Sequence, residues 1–299
     1  MRFFISRLSA LGDVVCSLPA ASALKASFPD CEIVWAVSEK FAPIVRCCRS
    51  VDQVIPIAKG RLPKISGPFD AALDLQGLLK SAILLRGLET KTKLGYHWQR
   101  EGAALFSCRV LPDPTSLHVV DQYVDVARAA GGTADRAQFA LAPSASAIEE
   151  MRQRLPETFI VVNPGAAWAI KRWPADKVAS FIDLAAAENI SVVLIGGKGE
   201  TSAEEAAKLA GAEVVNLSGK TDLEQLIALI SLSRAHVGGD TGSTHIAAAL
   251  DVPAIGLYSA TRPERSCPYG QIDRCIYRPE GLSQIEASDV FDKVMEAIA

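Results

Sequence analysis

Three stretches of this chain place ionisable or hydroxyl side chains beside glycine, each just after an apolar run. In "GGDTGSTHIAAAL" (238–250), Asp240-Thr241-Gly242 is the tripeptide that carries the catalytic carboxylate of aspartic proteases. That chemistry needs two aspartates sharing one proton, in a β-rich fold. No second such tripeptide occurs, and this one lies between an apolar run and a helical pattern. The context favours an anion site instead. Gly238, Gly239 and Gly242 let the backbone bend and approach a ligand closely. The amides of 241–244 would point out of a helix N-terminus, where phosphate is stabilised. The plainer alternative is a tight turn with Asp240 or Ser243 as helix cap and His245 in a structural role. A second stretch, "VVNPGAAWAIKRWPADKV" (161–178), also follows a strand-like run and carries Gly165, Lys171 and Arg172, with Pro174 at a helix start. Beside the first glycine turn, such a loop suits a diphosphate; alone, its charges read as solvated. In the third, "LSALGDVV" (8–15), Asp13 follows the first apolar run at the start of a helical pattern. It reads equally as an N-cap and as a general base for an acceptor hydroxyl. A helix dipole lowers an aspartate pKa, and burial under substrate raises it.

These positions need a frame. Strands are expected at 3–6, 32–37, 53–57 and 70–75, with helices near 14–27, 39–48, 78–87 and 118–130. After an Ala/Ser/Pro-rich break at 140–150, strands recur at 159–164, 191–197, 213–217, 235–239 and 253–258. Helices are expected at 175–188, 202–211, 222–232 and 243–250. Such alternation is that of βαβ units in parallel sheets. The fold class is therefore α/β, with two Rossmann-like domains, 1–150 and 151–299. A last helix carries apolar residues at 290, 291, 294, 297 and 298, free to pack back on the first domain. Ligands of such sheets bind outside the carboxyl ends of the strands, which points to the cleft between the domains.

Bulk properties exclude several classes. The 299 residues are 49% hydrophobic with a net charge of −3, which argues against disorder and against wholesale nucleic-acid binding. Residues 1–150 carry net +2 and the rest −5, so an anionic partner favours the first half. Seven cysteines without a C-x-x-C pair read as reduced thiols in a cytosolic protein. The four histidines show no metal-ligand spacing, so neither metal nor cofactor is expected. Arg7 and Asp13 interrupt the N-terminal apolar run, unlike a signal peptide, and no stretch reaches about 18 uninterrupted apolar residues. The absence of G-x-G-x-x-G after the first strand disfavours a dehydrogenase.

"SALGDVVCSLPA", "FDAALDLQGLLKSAIL", "NPGAAWAIKRWP" and "GGDTGSTHIAAAL", in this order, resemble the bacterial ADP-heptose:lipopolysaccharide heptosyltransferases of glycosyltransferase family 9. The first two are most similar to heptosyltransferase I. The resemblance implies a GT-B fold and inverting, metal-independent transfer of L-glycero-D-manno-heptose from ADP-heptose to the Kdo of a lipid-A-linked acceptor. The donor would sit on the C-terminal domain and the acceptor on the N-terminal one. Asp13 matches the proposed base and Lys171 the donor-phosphate lysine. Asp240, Thr241, Gly242 and His245 match the donor motif. Glu200 is the candidate for a ribose hydroxyl and Thr221 for the adenine pocket, with loop and cap chemistry as the alternative for both. Lys59, Arg61, Lys64, Gln76, Lys80, Arg100 and His118 are acceptor-side candidates; His118 and Asp121 also suit a helix cap. Peripheral contact with the cytoplasmic face of the inner membrane is a further expectation. Rival readings are heptosyltransferase II, another GT-B glycosyltransferase, and a non-catalytic nucleotide-binding protein.

Overall fold

A computed structural model describes every residue except 62, 134–136 and 167. Residue 62 falls in the basic loop "AKGRLPKI" and residue 167 in "NPGAAWAIKRWP"; both lie outside the described residues. The chain divides into two units, Met1–Ala142 and Pro143–Ala299.

The first unit runs β1 (Arg2–Ser6), α1 (Leu11–Ser27), β2 (Glu32–Ser38), α2 (Ala42–Arg46), β3 (Gln53–Ile57), β4 (Pro68–Asp74), α3 (Leu79–Ala82), β5 (Glu89–Gly95), β6 (Cys108–Arg109) and α4 (Val119–Ala129). Its six strands form a parallel sheet in the order β3-β2-β1-β4-β5-β6. The central strands read as apolar runs because helices cover both faces of such a sheet. Phe4, Val34, Ala36, Phe69 and Ala72 pack with Leu84, Leu85 and Leu88 on one side. On α1, Val14, Val15, Leu18, Ala21 and Leu24 are all buried, and α1 lies against α4.

The second unit runs α5 (Ala145–Arg152), β7 (Phe159–Asn163), α6 (Ala175–Ala187), β8 (Ser191–Leu194), α7 (Ser202–Leu209), β9 (Val215–Asn216), α8 (Leu223–Leu232), β10 (Ala235–Gly239), α9 (Gly242–Ala249), β11 (Ala254–Tyr258), β12 (Ile276–Tyr277) and α10 (Ala287–Ile298). Its parallel order is β12-β11-β10-β7-β8-β9. Read from the other edge and renumbered from its first strand, this is the order of the first unit.

Three differences from the sequence expectations have physical causes. The stretch taken as a break holds the first six residues of α5, capped by Ser144 Oγ accepting from the Ala147 amide at 3.2 Å, with Ala147 and Met151 on its buried face. A boundary after residue 150 would cut this helix; the division falls before it. The helices near 39–48 and 78–87 are shorter, each joined to a 3₁₀ turn. Finally, α10 packs on α6, β10 and β11 within its own unit, and its Val290 and Val294 belong to that unit's core.

Candidate active site

In an open parallel sheet the crevice forms where the strand order reverses. The second unit reverses between β7 and β10, which pair from Ala235↔Ile160 to Gly238↔Asn163. Both glycine-bearing loops identified from sequence leave the sheet at that point.

The loop after β10 delivers Asp240 and then α9, whose N-cap is Thr241. Amides of the first helical turn have no partner in the helix's own ladder, so those of Gly242, Ser243 and Thr244 are available at its positive end. Hydroxyls organise the turn. Thr244 Oγ1 donates to the Gly239 carbonyl at 2.7 Å, and Asn163 Nδ2 donates to Ser243 Oγ at 2.9 Å. Asn163 Oδ1 accepts from the Gly165 amide at 3.2 Å, so one side chain fixes both loops.

Lys171 comes from the loop after β7 and reaches Asp240, Nζ to Oδ2, at 2.9 Å. His245 Nε2 lies 3.6 Å from the other oxygen, and Thr261 Oγ1 donates to Oδ2 at 3.5 Å. Burial alone would raise the Asp240 pKa. The hydrogen bonds and charges of His245 and Lys171 outweigh it and hold the carboxyl at about 2. Gly239 permits this closeness, because a Cβ there would sit 3.3 Å from the Lys171 carbonyl oxygen. Behind the site, burial and then His245 push the fully buried His236 down to about 3, so it stays neutral at pH 7.

Glu200 follows β8 beside Gly165. A Cβ on Gly165 would lie 1.9 Å from Glu200 Oε2, so only glycine leaves room for that carboxylate. Glu200 Oε1 accepts from the Ser202 amide at 3.0 Å, whereas the buried Oε2 has no protein partner among the described residues. Arg172 is exposed and donates to the Ala166 carbonyl of its own loop at 3.1 Å. Thr221 is half-buried and directly precedes Asp222, the cap of α8.

The first unit reverses between β1 and β4. Ala10, not Asp13, occupies the N-cap of α1; Asp13 is the third helical residue and accepts from the Ala10 amide at 3.3 Å. Its carboxylate is half-exposed and pairs with Arg7 at 2.8 Å. From the β4 side, Gln76 Oε1 accepts from the Leu8 amide at 2.8 Å, and Lys80 Nζ donates to Ser9 Oγ at 3.0 Å. The Arg100 amide donates to the Gly77 carbonyl at 2.8 Å, and its guanidinium lies over Trp98. Gln76 in the turn after β4, Lys80 on α3 and Arg100 after β5 thus lie around the first unit's crevice. Lys59, Arg61 and Lys64 do not: they are exposed after β3, the edge strand two positions from β1. His118 is buried and caps α4, its Nδ1 accepting from the Val120 amide at 3.2 Å.

Sequence reasoning missed Arg7, Asn163 and Asp74. Asp74, fully buried at the end of β4, accepts from the amides of Gln76 and Gly77 and so shapes the turn that presents Gln76. Burial pushes its carboxyl up, against hydrogen bonds from Ser81 and those amides. The signal available for all three was position alone: each ends a strand at a crevice or directly follows one.

Two Rossmann-like units of identical strand order, each with its polar loops at the reversal, are those of the GT-B fold. The chain is similar to Escherichia coli heptosyltransferase WaaC solved with ADP, with 27% identity, a TM-score of 0.82, and 99% of this chain and 100% of that one covered. Residues 64–295 match glycosyltransferase family 9 (heptosyltransferase), and the chain belongs to that family. Among relatives, lipopolysaccharide heptosyltransferase 1 of Salmonella typhimurium is 29% identical, with 98% of this chain and 100% of that protein covered. The lipopolysaccharide core heptosyltransferase OpsX of Haemophilus influenzae is also 29% identical, with 94% and 86% covered.

Proposed function

We propose that this enzyme is an inverting heptosyltransferase moving L-glycero-D-manno-heptose from ADP-heptose to the Kdo of the lipopolysaccharide inner core. The observation that carries this reading is the juxtaposition of Lys171, Asp240 and the first-turn amides of α9 at one strand reversal. A cation and several amides in one crevice suit a diphosphate leaving group. Preorganised donors of this kind each contribute about 3 kcal/mol as charge develops. We assign Asp240 and His245 to the sugar end of the donor, Thr241 and Gly242 to phosphate, Gly165 and Glu200 to the ribose, and Thr221 to the adenine. Arg172 adds positive potential at the rim.

Asp13 takes the proton from the acceptor hydroxyl while that oxygen bonds to the anomeric carbon. The bond from that carbon to the diphosphate breaks, and its electron pair leaves with ADP. An attacking oxygen becomes strongly acidic as its new bond forms, so a carboxylate suffices as base. Gln76, Lys80 and Arg100 meet the acceptor's anionic groups; Lys59, Arg61 and Lys64 extend that potential to its more distant phosphates. Lys171 and the amides stabilise the leaving group without a metal, and loss of activity on chelation would overturn that assignment.

Purified enzyme supplied with ADP-heptose and a Kdo-lipid A acceptor tests the whole reading. Transfer to the heptose-free acceptor supports heptosyltransferase I. Transfer only to an acceptor already carrying one heptose points to heptosyltransferase II. Nucleotide binding with neither transfer nor donor hydrolysis points to a non-catalytic protein. The near-complete coverage of the Salmonella heptosyltransferase 1 supports the first outcome.

No helix among the described residues is long and apolar enough to cross a membrane. We assign peripheral contact with the cytoplasmic leaflet to the β5–β6 edge of the first unit. A cavity of about 570 Å³ there is lined by Lys91, Lys93, Arg109, Leu105 and Phe106. Leu105 is 85% exposed. Basic side chains around an exposed leucine suit an anionic lipid surface. Lys91→Glu with Lys93→Glu should abolish co-sedimentation with phosphatidylglycerol vesicles; unchanged co-sedimentation would reject the surface.

A further inference from the structure

Arg7 directly follows β1 and is 5% exposed, an unusual burial for a cation. Its guanidinium is held on three sides. Nη1 donates to the Leu75 carbonyl at 2.6 Å, Nη2 pairs with Asp13 Oδ2 at 2.8 Å, and the guanidinium carbon lies 5.2 Å from the Tyr123 ring centroid. The Ala10 amide also reaches Oδ2, at 3.3 Å. Both contacts with the carboxylate therefore fall on one oxygen, although the side chain is half-exposed.

We propose that Arg7 is the positioning residue of the base: it fixes Asp13 through Oδ2 and reserves Oδ1 as the oxygen that takes the acceptor's proton. The inference rests on the assignment of Asp13 as base. A buried guanidinium is a rigid planar fork that cannot deprotonate near neutral pH, so its pairing survives wherever the enzyme folds. Among the described residues, few charged and titratable groups surround Asp13. Arg7 comes from the end of β1, Cys16 from the next turn of α1, and Tyr123 from α4. Lys80 reaches Ser9 from α3, and Asp74 at the end of β4 acts on Arg7. Tyr123 is pushed far above its ordinary pKa, first by burial, and stays neutral. Among the described residues Arg7 is therefore the cation in direct contact with the carboxylate, and removing it should free Asp13 to rotate.

The test compares wild type, Arg7→Met, Arg7→Lys and Asp13→Asn in heptosyl transfer over pH 4–9, with ADP affinity by calorimetry. Arg7→Met should lower kcat about 10–100-fold and leave ADP affinity and the acceptor KM within about threefold. Arg7→Lys keeps the charge but not the fork. It should lower kcat about tenfold at an unchanged acceptor KM. A folded Arg7→Met with wild-type kcat overturns the proposal. Should Arg7→Met not fold, Arg7→Lys decides: a higher acceptor KM at wild-type kcat makes Arg7 an acceptor-binding residue and overturns it equally. Asp13→Asn separates the two readings. If that variant turns over normally, the base assignment itself fails. If it is inactive while both Arg7 variants behave as wild type, the Arg7 proposal alone fails.

Discussion

The two strand reversals make a controlled comparison within one chain. Both units use the same strand order, and both place polar loops at the carboxyl ends of their first and fourth strands. At the β7/β10 reversal the loops supply a lysine, a helix N-terminus and an aspartate whose carboxyl is held at about 2. At the β1/β4 reversal they supply a half-exposed carboxylate against a buried arginine, with Gln76 and Lys80 opposite. Topology fixes where chemistry can occur; the residues in two turns decide which chemistry it is. One reversal gathers a cation and helix amides, which we assign to a diphosphate; the other holds a carboxylate, which we assign to proton transfer.

Breaking either side of the comparison should give unequal losses. Asp13→Asn removes the proposed base and should cut transfer more than about 10³-fold while leaving ADP affinity unchanged by calorimetry, since ADP is assigned to the other unit. Lys171→Ala should lower kcat about 10²–10³-fold and also weaken ADP binding, measured in the same two assays. Gly165→Ala displaces Glu200 and should weaken ADP about tenfold with little change in kcat. Equal affinity for ADP and its 2′-deoxy form in wild type would remove Glu200 from the ribose.

Smaller effects sharpen the contrast through stability. The depressed Asp240 carboxyl contributes stability that is fully present above its unfolded pKa, about 4. That contribution is lost as pH falls through about 2. Urea unfolding should show wild type losing about 2 kcal/mol more than Asp240→Asn between pH 5 and pH 2. His118→Ala should cost about 1 kcal/mol through the lost cap of α4. If acceptor KM also rises severalfold in that variant, His118 has an acceptor role beyond its cap.

Much of this architecture was legible in the sequence, because buried parallel strands are apolar runs and the crevice loops carry the glycines and charges. The strand spans 53–57 and 235–239 were read without change. What escaped lies where those signals fade. β5, "ETKTKLG", is polar and exposed over its first half, and β6 pairs with it only at Leu94 and Gly95. Lysines along such an uncovered edge discourage pairing with another chain. β6 and β12 have two residues each, too few for any periodicity. At the two reversals, Lys171, Asp240 and Asp13 stood out by type and place. Arg7 served only to argue against a signal peptide. Nothing local marks an arginine that reaches a carboxylate six residues later and a ring on α4.

The Lys171–Asp240 contact has one more consequence. Each side chain holds the other's rotamer, so neither is free to swing away from the β7/β10 reversal. The polar lining there is kept in one arrangement rather than many.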